Sequence, residues 1–297
     1  MKFLGALAGI LVLVVLVTAG WQHFRYLEAR RELVRDRQSL FYGPSTFHVV
    51  TLLKTQAGAQ LLEEVGRFKR EVESAGAKVV YAGKAVLAAR ASSQIPEPGW
   101  DAIVLTQFDD SAAYATLSGS PEYQKTLGEF EANYSIGMDR PVLLNLAIHQ
   151  LLLGVKISDL VSRTPARYPF VPAAREGDPA QRDARIRAMT QEQEFGRDAV
   201  LIVNFLKAGT SEQQAENSGY GREMMGLMAE QGHGPMHVGT AVTLEGEADF
   251  DDVILVYYPG VDYMAQMVTS EFFTGIVGGK QLGDTHATAT VPLLGHL

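Results

Sequence analysis

Hydrophobic positions change their spacing repeatedly along this chain, and each change predicts an element. Phe3–Gly20 carries no charge and contains the run Ile10–Val17 (ILVLVVLV). As a helix it spans ~27 Å at ~1.5 Å per residue, close to the ~30 Å hydrocarbon core of a bilayer. An uncleaved transmembrane anchor is expected, with a signal peptide ending near Val17-Thr18-Ala19 as the alternative. After Gly43-Pro44, Phe47–Lys54 (FHVVTLLK) is apolar on both alternating faces, the pattern of a strand buried on two sides. Leu61, Leu62, Val65, Phe68 and Val72 then recur at helical spacing, and Gly76 ends that helix as a C-cap. Lys78–Ala89 reads as a second strand, Ser92–Gly99 as a turn and Trp100–Phe108 as a third strand. Ser111–Leu117 and Tyr123–Phe130 are helical pieces around Pro121, and Pro141–Leu146 reads as a fourth strand.

The pattern then recurs. Val200–Lys207 (VLIVNFLK) follows Phe47–Lys54, with Lys54 and Lys207 both closing their strands. Tyr220, Met224, Leu227 and Met228 form a helical face that ends near Gly232. Gly76–Val86 aligns without gaps on Gly232–Val242, so Gly83 meets Gly239. Trp100–Leu144 aligns on Phe250–Leu294 at an offset of 150 with seven identities, among them Asp101 with Asp251 and Ser120 with Ser270. That alignment predicts a strand at Asp251–Tyr258, a helix at Tyr263–Val277 and a strand at Thr288–Leu294. Between the repeats, Ala147–Val161 looks helical, Thr164–Pro179 with its four prolines reads as an irregular linker, and Gln181–Phe195 as a polar helix. The expected organisation is an anchor at 1–22, a juxtamembrane helix at 23–43, a first repeat at 44–146, a helical and Pro-rich linker at 147–198, and a second repeat at 199–297.

Composition narrows the partners. Net charge is -8, from 34 acidic against 26 basic residues, which argues against a nucleic-acid partner. The absence of cysteine rules out disulfides, thiolate metal sites and a cysteine nucleophile. Only Lys2 precedes the apolar run, whereas Arg25, Arg30, Arg31, Arg35 and Arg37 follow it. By the positive-inside rule, this predicts a single pass through the inner (cytoplasmic) membrane with the bulk of the chain in the cytoplasm; a periplasmic bulk is the alternative.

A β-α-β-β-α-β unit is the ferredoxin-like split motif, which covers one face of its sheet with helices and leaves the other needing a partner. Several sequence features resemble the dimeric α/β-barrel superfamily, in particular its uncharacterised domain-of-unknown-function branches. They are the strand ending N-F-L-K (Asn204–Lys207), the G-x-x-x-x-G stretch (Gly234–Gly239), the aromatic-Asp opening of the third strand, its aromatic close (Phe108, Tyr258) and S-P-E-Y (Ser120–Tyr123). The resemblance implies an α+β fold in which two tandem ferredoxin-like repeats pack as an intramolecular dimeric α/β barrel. The superfamily also includes antibiotic-biosynthesis and haem-degrading monooxygenases, chlorite dismutases and dye-decolourising peroxidases. No haem-ligand motif carries over to this chain, so no cofactor is expected, and S-P-E-Y is degraded in the second repeat to Ser270-Glu271-Phe272-Phe273.

The repeats differ most in polar residues. The second has Asn204 for Thr51, His233 for Ala77, His237 for Tyr81 and Tyr257 for Gln107. His233-Gly-Pro-Met-His237 invites a metal reading, but its glycine and proline break the helix on which such a pair shares a face. Surface or turn histidines and no metal site are expected. Asn204, Lys207, His237, Tyr257 and Tyr258 are the candidate ligand-binding residues, lining a cleft between sheet and helices. The alternative is a hydrogen-bonded core Asn with snorkelling Lys and Tyr. Met224, Met225, Met228, Met236, Met264 and Met267 are expected as adaptable core filler. No nucleophile elbow, P-loop or dinucleotide fingerprint is present. These features predict a protein held to membrane lipid by its N-terminal helix, open to homo-oligomerisation, and binding a small apolar or aromatic ligand. One alternative is a cofactor-independent or haem-using monooxygenase-like enzyme with the second repeat active; another is a structural or assembly protein.

Overall fold

Eight strands close into one antiparallel barrel. The structure, a computed structural model, describes residues 47–96, 98–173 and 199–297, with helical residues 9, 10, 12–18, 20, 21 and 24 ahead of them. Strands β1 (Phe47–Lys54), β2 (Lys78–Arg90), β3 (Ala102–Phe108) and β4 (Ala132–Asp139) are joined by helices α1 (Leu61–Ser74), α2 (Ser111–Ser118) and α3 (Pro121–Leu127). After the long helix α4 (Val142–Ser162), strands β5 (Val200–Leu206), β6 (Gly234–Thr243), β7 (Asp252–Tyr258) and β8 (His286–Pro292) follow the same order. Their helices are α5 (Ser211–Gln231), α6 (Val261–Val268) and α7 (Glu271–Val277). Around the barrel the order is β1-β3-β2-β8-β5-β7-β6-β4, and β4 pairs with β1 to close it. The halves join along two seams, β2 with β8 and β4 with β6.

Strand alternation sorts the side chains into layers. Val50, Leu52, Ile103, Leu105, Ile136 and Met138 meet Leu201, Val203, Phe205, Val253 and Leu255 inside the barrel. The intervening residues face outward: Val49, Leu53 and Val104 pack under Val65, Phe68 and Val72 of α1. Val200, Val256 and Tyr258 pack under Met224, Met228, Met264 and Met267 of α5 and α6. The methionines are core filler, as their sequence spacing suggested.

Most elements lie where the pattern places them, with one relocation. The fourth strand is Ala132–Asp139, not Pro141–Leu146, where Pro141 precedes α4 and the other five residues open it. A short apolar run is compatible with either element; the true strand shows the clearer alternation, with Tyr134, Ile136 and Met138 inward and Asn133 and Ser135 between them. The offset of 150 therefore fails at the last strand. Ile136 lies opposite Val50 and Thr288 opposite Val203, an offset of 152, and β8 begins at His286 rather than Thr288. The single helix expected at Tyr263–Val277 is two, because Ser270 caps a new one by accepting from the Phe273 N–H. Ser120 does the same for Tyr123, so the S-P-E-Y likeness marks a helix start.

Among the described residues no helix is long and apolar enough to cross a membrane. Of the expected anchor, residues 1–8, 11, 19 and 22 lie outside the described residues, as do 23, 25–46 and the expected helix Gln181–Phe195. The described Ile10 and Val12–Val17 are helical and 51–63% exposed.

Candidate functional site

The five residues singled out from sequence do not converge. Asn204 faces outward from β5, and its Nδ2 donates to the carbonyls of Ile202 (3.2 Å) and Ile254 (3.1 Å). Tyr258 is on the same outer side, buried under α5 and α6. His237 and Tyr257 pair with Leu255 and Leu201 respectively in the ladders of β6–β7 and β5–β7, on the side that lines the barrel. Lys207 stands at the rim, with its Nζ 2.6 Å from Asp249 and 3.6 Å from Asp251. Lys54 makes the equivalent ion pair with Asp101 at 3.3 Å in the first half.

The histidines expected at the surface are buried. His233, just before β6, sits between sheet and helix α6 at 2% exposure, whereas His237 lies inside the barrel with its ring 5.9 Å from that of His48. The two face opposite sides of the sheet. Among the described residues no group of three His, Asp or Glu has metal-binding geometry.

The most developed polar site surrounds His233. Its Nδ1 lies 3.0 Å from the Tyr257 carbonyl and its Nε2 2.9 Å from the Tyr263 hydroxyl. A carbonyl oxygen only accepts, so Nδ1 carries the hydrogen. Burial lowers the imidazole to a pKa of about 4, partly offset by that backbone hydrogen bond, so the ring is neutral at pH 7. A neutral ring with hydrogen on Nδ1 has a lone pair on Nε2, and the Tyr263 hydroxyl therefore donates to it. Burial pushes the Tyr263 phenol up, and the charges of Glu230 and Tyr168 add to the shift.

Above Tyr263 the segment after α4 builds an aromatic ledge. Phe170 lies 5.2 Å from the Tyr263 ring and Tyr168 stacks on it at 6.0 Å, while Phe170 stacks on Phe272 at 6.4 Å. The segment is held by Arg167, whose Nη1 donates to Asp159 (2.7 Å) and Nε to Glu223 (3.0 Å). The Arg167 and Tyr168 N–H groups donate to Glu230, and the Glu271 N–H donates to the Val171 carbonyl. Sequence reasoning treated Thr164–Pro179 as linker and missed this ledge. The available signal was Tyr168-Pro-Phe170, two aromatics in an otherwise irregular stretch.

Four buried histidines are the candidates for a haem ligand. Both ring nitrogens of His233 are hydrogen-bonded within the protein. His48, His237 and His286 are at most 1% exposed, and their strand positions place them among the side chains that fill the barrel. These four do not fit an axial ligand, which must present a nitrogen to a space the size of a porphyrin.

No family model and no curated protein matches the chain. Among solved structures it is similar to an anthrone oxidase-like protein, at 10% identity over 84% of this chain and 92% of that one, with a TM-score of 0.44. It is also similar to a mutant chlorite dismutase from Candidatus Nitrospira defluvii (9% identity, 86% and 96% covered, TM-score 0.43). A third is a dye-decolorizing protein from V. cholerae (12%, 84% and 94%, TM-score 0.40). The architecture itself is defined by this chain's own strand order: an α+β fold whose eight antiparallel strands close into one barrel, with the element order β-α-β-β-α-β on either side of α4.

Proposed function

We propose that the protein binds a small aromatic molecule on the ledge of Tyr168, Phe170, Tyr263 and Phe272. We propose further that it acts on this molecule as a cofactor-independent, monooxygenase-like enzyme whose active half is the second. The observation that carries the reading is the Tyr263–His233 hydrogen bond directly beneath the ledge. An acidic hydroxyl of the bound molecule passes its proton to the Tyr263 oxygen as the Tyr263 proton moves to His233 Nε2. The products are an electron-rich oxyanion, able to react with dioxygen, and an imidazolium. Because burial disfavours the imidazolium, the transfer is favourable only when the anion forms beside it.

The test is oxygen uptake by the purified full chain with a panel of phenols and enolisable aromatic ketones. Tyr263→Phe and His233→Gln are expected to lower kcat by about 10²-fold or more, and Phe170→Ala to raise KM. A thermal shift without oxygen uptake would reduce the reading to ligand binding, and neither response across the panel would remove it.

We also propose that Phe3–Gly20 holds the barrel at the inner membrane with its bulk in the cytoplasm. Support comes from the charge-free run, the exposure of Ile10 and Val12–Val17, and the arginines that follow. Sedimentation of the full chain with membranes, and its protection from protease added on the periplasmic side, are expected; cleavage there would reverse the orientation.

A further inference from the structure

We propose that Tyr263 is an oxidisable tyrosine, with His233 as its proton acceptor and Tyr168 as its outlet to the surface. The inference rests on the same pair as the proposed reaction, but its test uses neither substrate nor dioxygen.

Oxidation of a phenol is limited by the fate of its proton, because a phenol that has lost one electron is a very strong acid. Tyr263 has a place for that proton already in line: the lone pair of His233 Nε2 at 2.9 Å. The acceptor is kept in the correct tautomer by the Tyr257 carbonyl on its other nitrogen. Even an imidazole of pKa about 4 takes a proton from an oxidised phenol. The oxidant is an oxygen-centred radical reaching the ledge, the class of by-product that an oxygen-using site generates. One electron passes from Tyr263 to that radical, which becomes its anion. The phenolic O–H bond breaks, the N–H bond forms at His233 Nε2, and a neutral tyrosyl radical and an imidazolium remain.

The surroundings offer the hole an exposed neighbour stacked on Tyr263. Tyr258 lies 5.2 Å from His233 but is buried, with its phenol raised well above its ordinary range by burial. Tyr168 stacks on Tyr263 at 6.0 Å and is 38% exposed. Transfer to Tyr168 returns the His233 proton to the Tyr263 oxygen, while Tyr168 releases its own proton to water. A soluble reductant can then quench the radical outside the core.

The experiment is laser flash oxidation of the full chain by photogenerated tris(bipyridyl)ruthenium(III), read by transient absorption and by electron paramagnetic resonance after freeze-quenching. A fast tyrosyl phase is expected that disappears in Tyr263→Phe and carries a solvent deuterium isotope effect. In His233→Phe it should slow roughly tenfold or more, and in Tyr168→Phe the Tyr263 radical should live longer. A fast phase unchanged in Tyr263→Phe overturns the proposal. Should either core variant fail to fold, the wild-type radical decides alone. Electron–nuclear double resonance must show one strongly coupled exchangeable proton hydrogen-bonded to the phenoxyl oxygen, and its absence overturns the assignment.

Discussion

At the scale of single residues, the polar groups on and beside β5 find their partners within the wall and at its rim. The Asn204 amide is taken up by two strand carbonyls, and Lys207 by two carboxylates at the strand rim. Residue type alone made both look like ligand groups; only the partners distinguish a core amide from a binding amide. His233 is the exception, because its second nitrogen meets a side chain that reaches the ledge. Its depressed pKa has a consequence for stability. Burial lowers His233 and His286 to about 4, so between pH 4 and about 6.5 the unfolded chain binds more protons than the folded one. Stability is therefore full above about pH 6.5 and is lost as pH falls toward 4, by on the order of 3 kcal/mol for each histidine. Urea titrations at pH 7 and pH 4.5 check this; equal midpoints would mean that the histidines are not held neutral.

At the scale of elements, helix boundaries and the segment after α4 are set by a few identifiable contacts. Gly76 and Gly232 adopt positive φ (86° and 77°) where α1 and α5 end, which glycine does without strain. Ser270→Ala removes the cap that separates α6 from α7 and is expected to cost about 1 kcal/mol, measurable by thermal unfolding. Arg167 is the clasp of the aromatic segment. Its guanidinium lies against Gly226 of α5, where an added Cβ would collide with it, and it pairs with Asp159 of α4 and Glu223 of α5. Arg167→Ala leaves those partly exposed carboxylates unpaired. We expect a loss of about 1–2 kcal/mol, because water reaches both carboxylates. Limited proteolysis should then cut within 164–172 in the variant and not in the parent. The helices were legible from spacing and caps. The clasp was not, because its partners are 56 and 8 residues away in sequence.

At the scale of the molecule, the two halves share one hydrogen-bonded wall. The aligned glycines Gly83 and Gly239 both sit at its seams. A Cβ on Gly83 would strike Tyr81 and Thr290, and one on Gly239 would strike the Asp139 carbonyl and Met138. Gly83→Ala and Gly239→Ala should each destabilise by about 1–3 kcal/mol through overpacking, read by chemical denaturation. Gly83→Ala should also disturb the buried Tyr81–Thr290 hydrogen bond (2.7 Å). Because β2–β8 and β4–β6 pairing and a common interior bind the halves together, Trp100 fluorescence and far-ultraviolet circular dichroism should report one coincident unfolding transition. Two separated transitions would show halves that fold independently.

Apart from the fourth strand, the strands and the helical faces were legible in the sequence, because periods of two and 3.6 residues and the capping residues are local properties. The apolar run at Ile10–Val17 is likewise a local fact. Tertiary structure decided the rest. A six-residue apolar stretch became helix rather than strand because Ala132–Asp139 already supplied β4. Two histidines four residues apart went to opposite sides of the wall because the register shift between Pro235 and His237 breaks the alternation that would keep them on one face. The ledge exists because Arg167, Tyr168 and Phe170 find partners on helices far away in the chain. Hydrogen-bond partners and burial depend on what folding brings near, and the order of residues along the chain does not contain that distance.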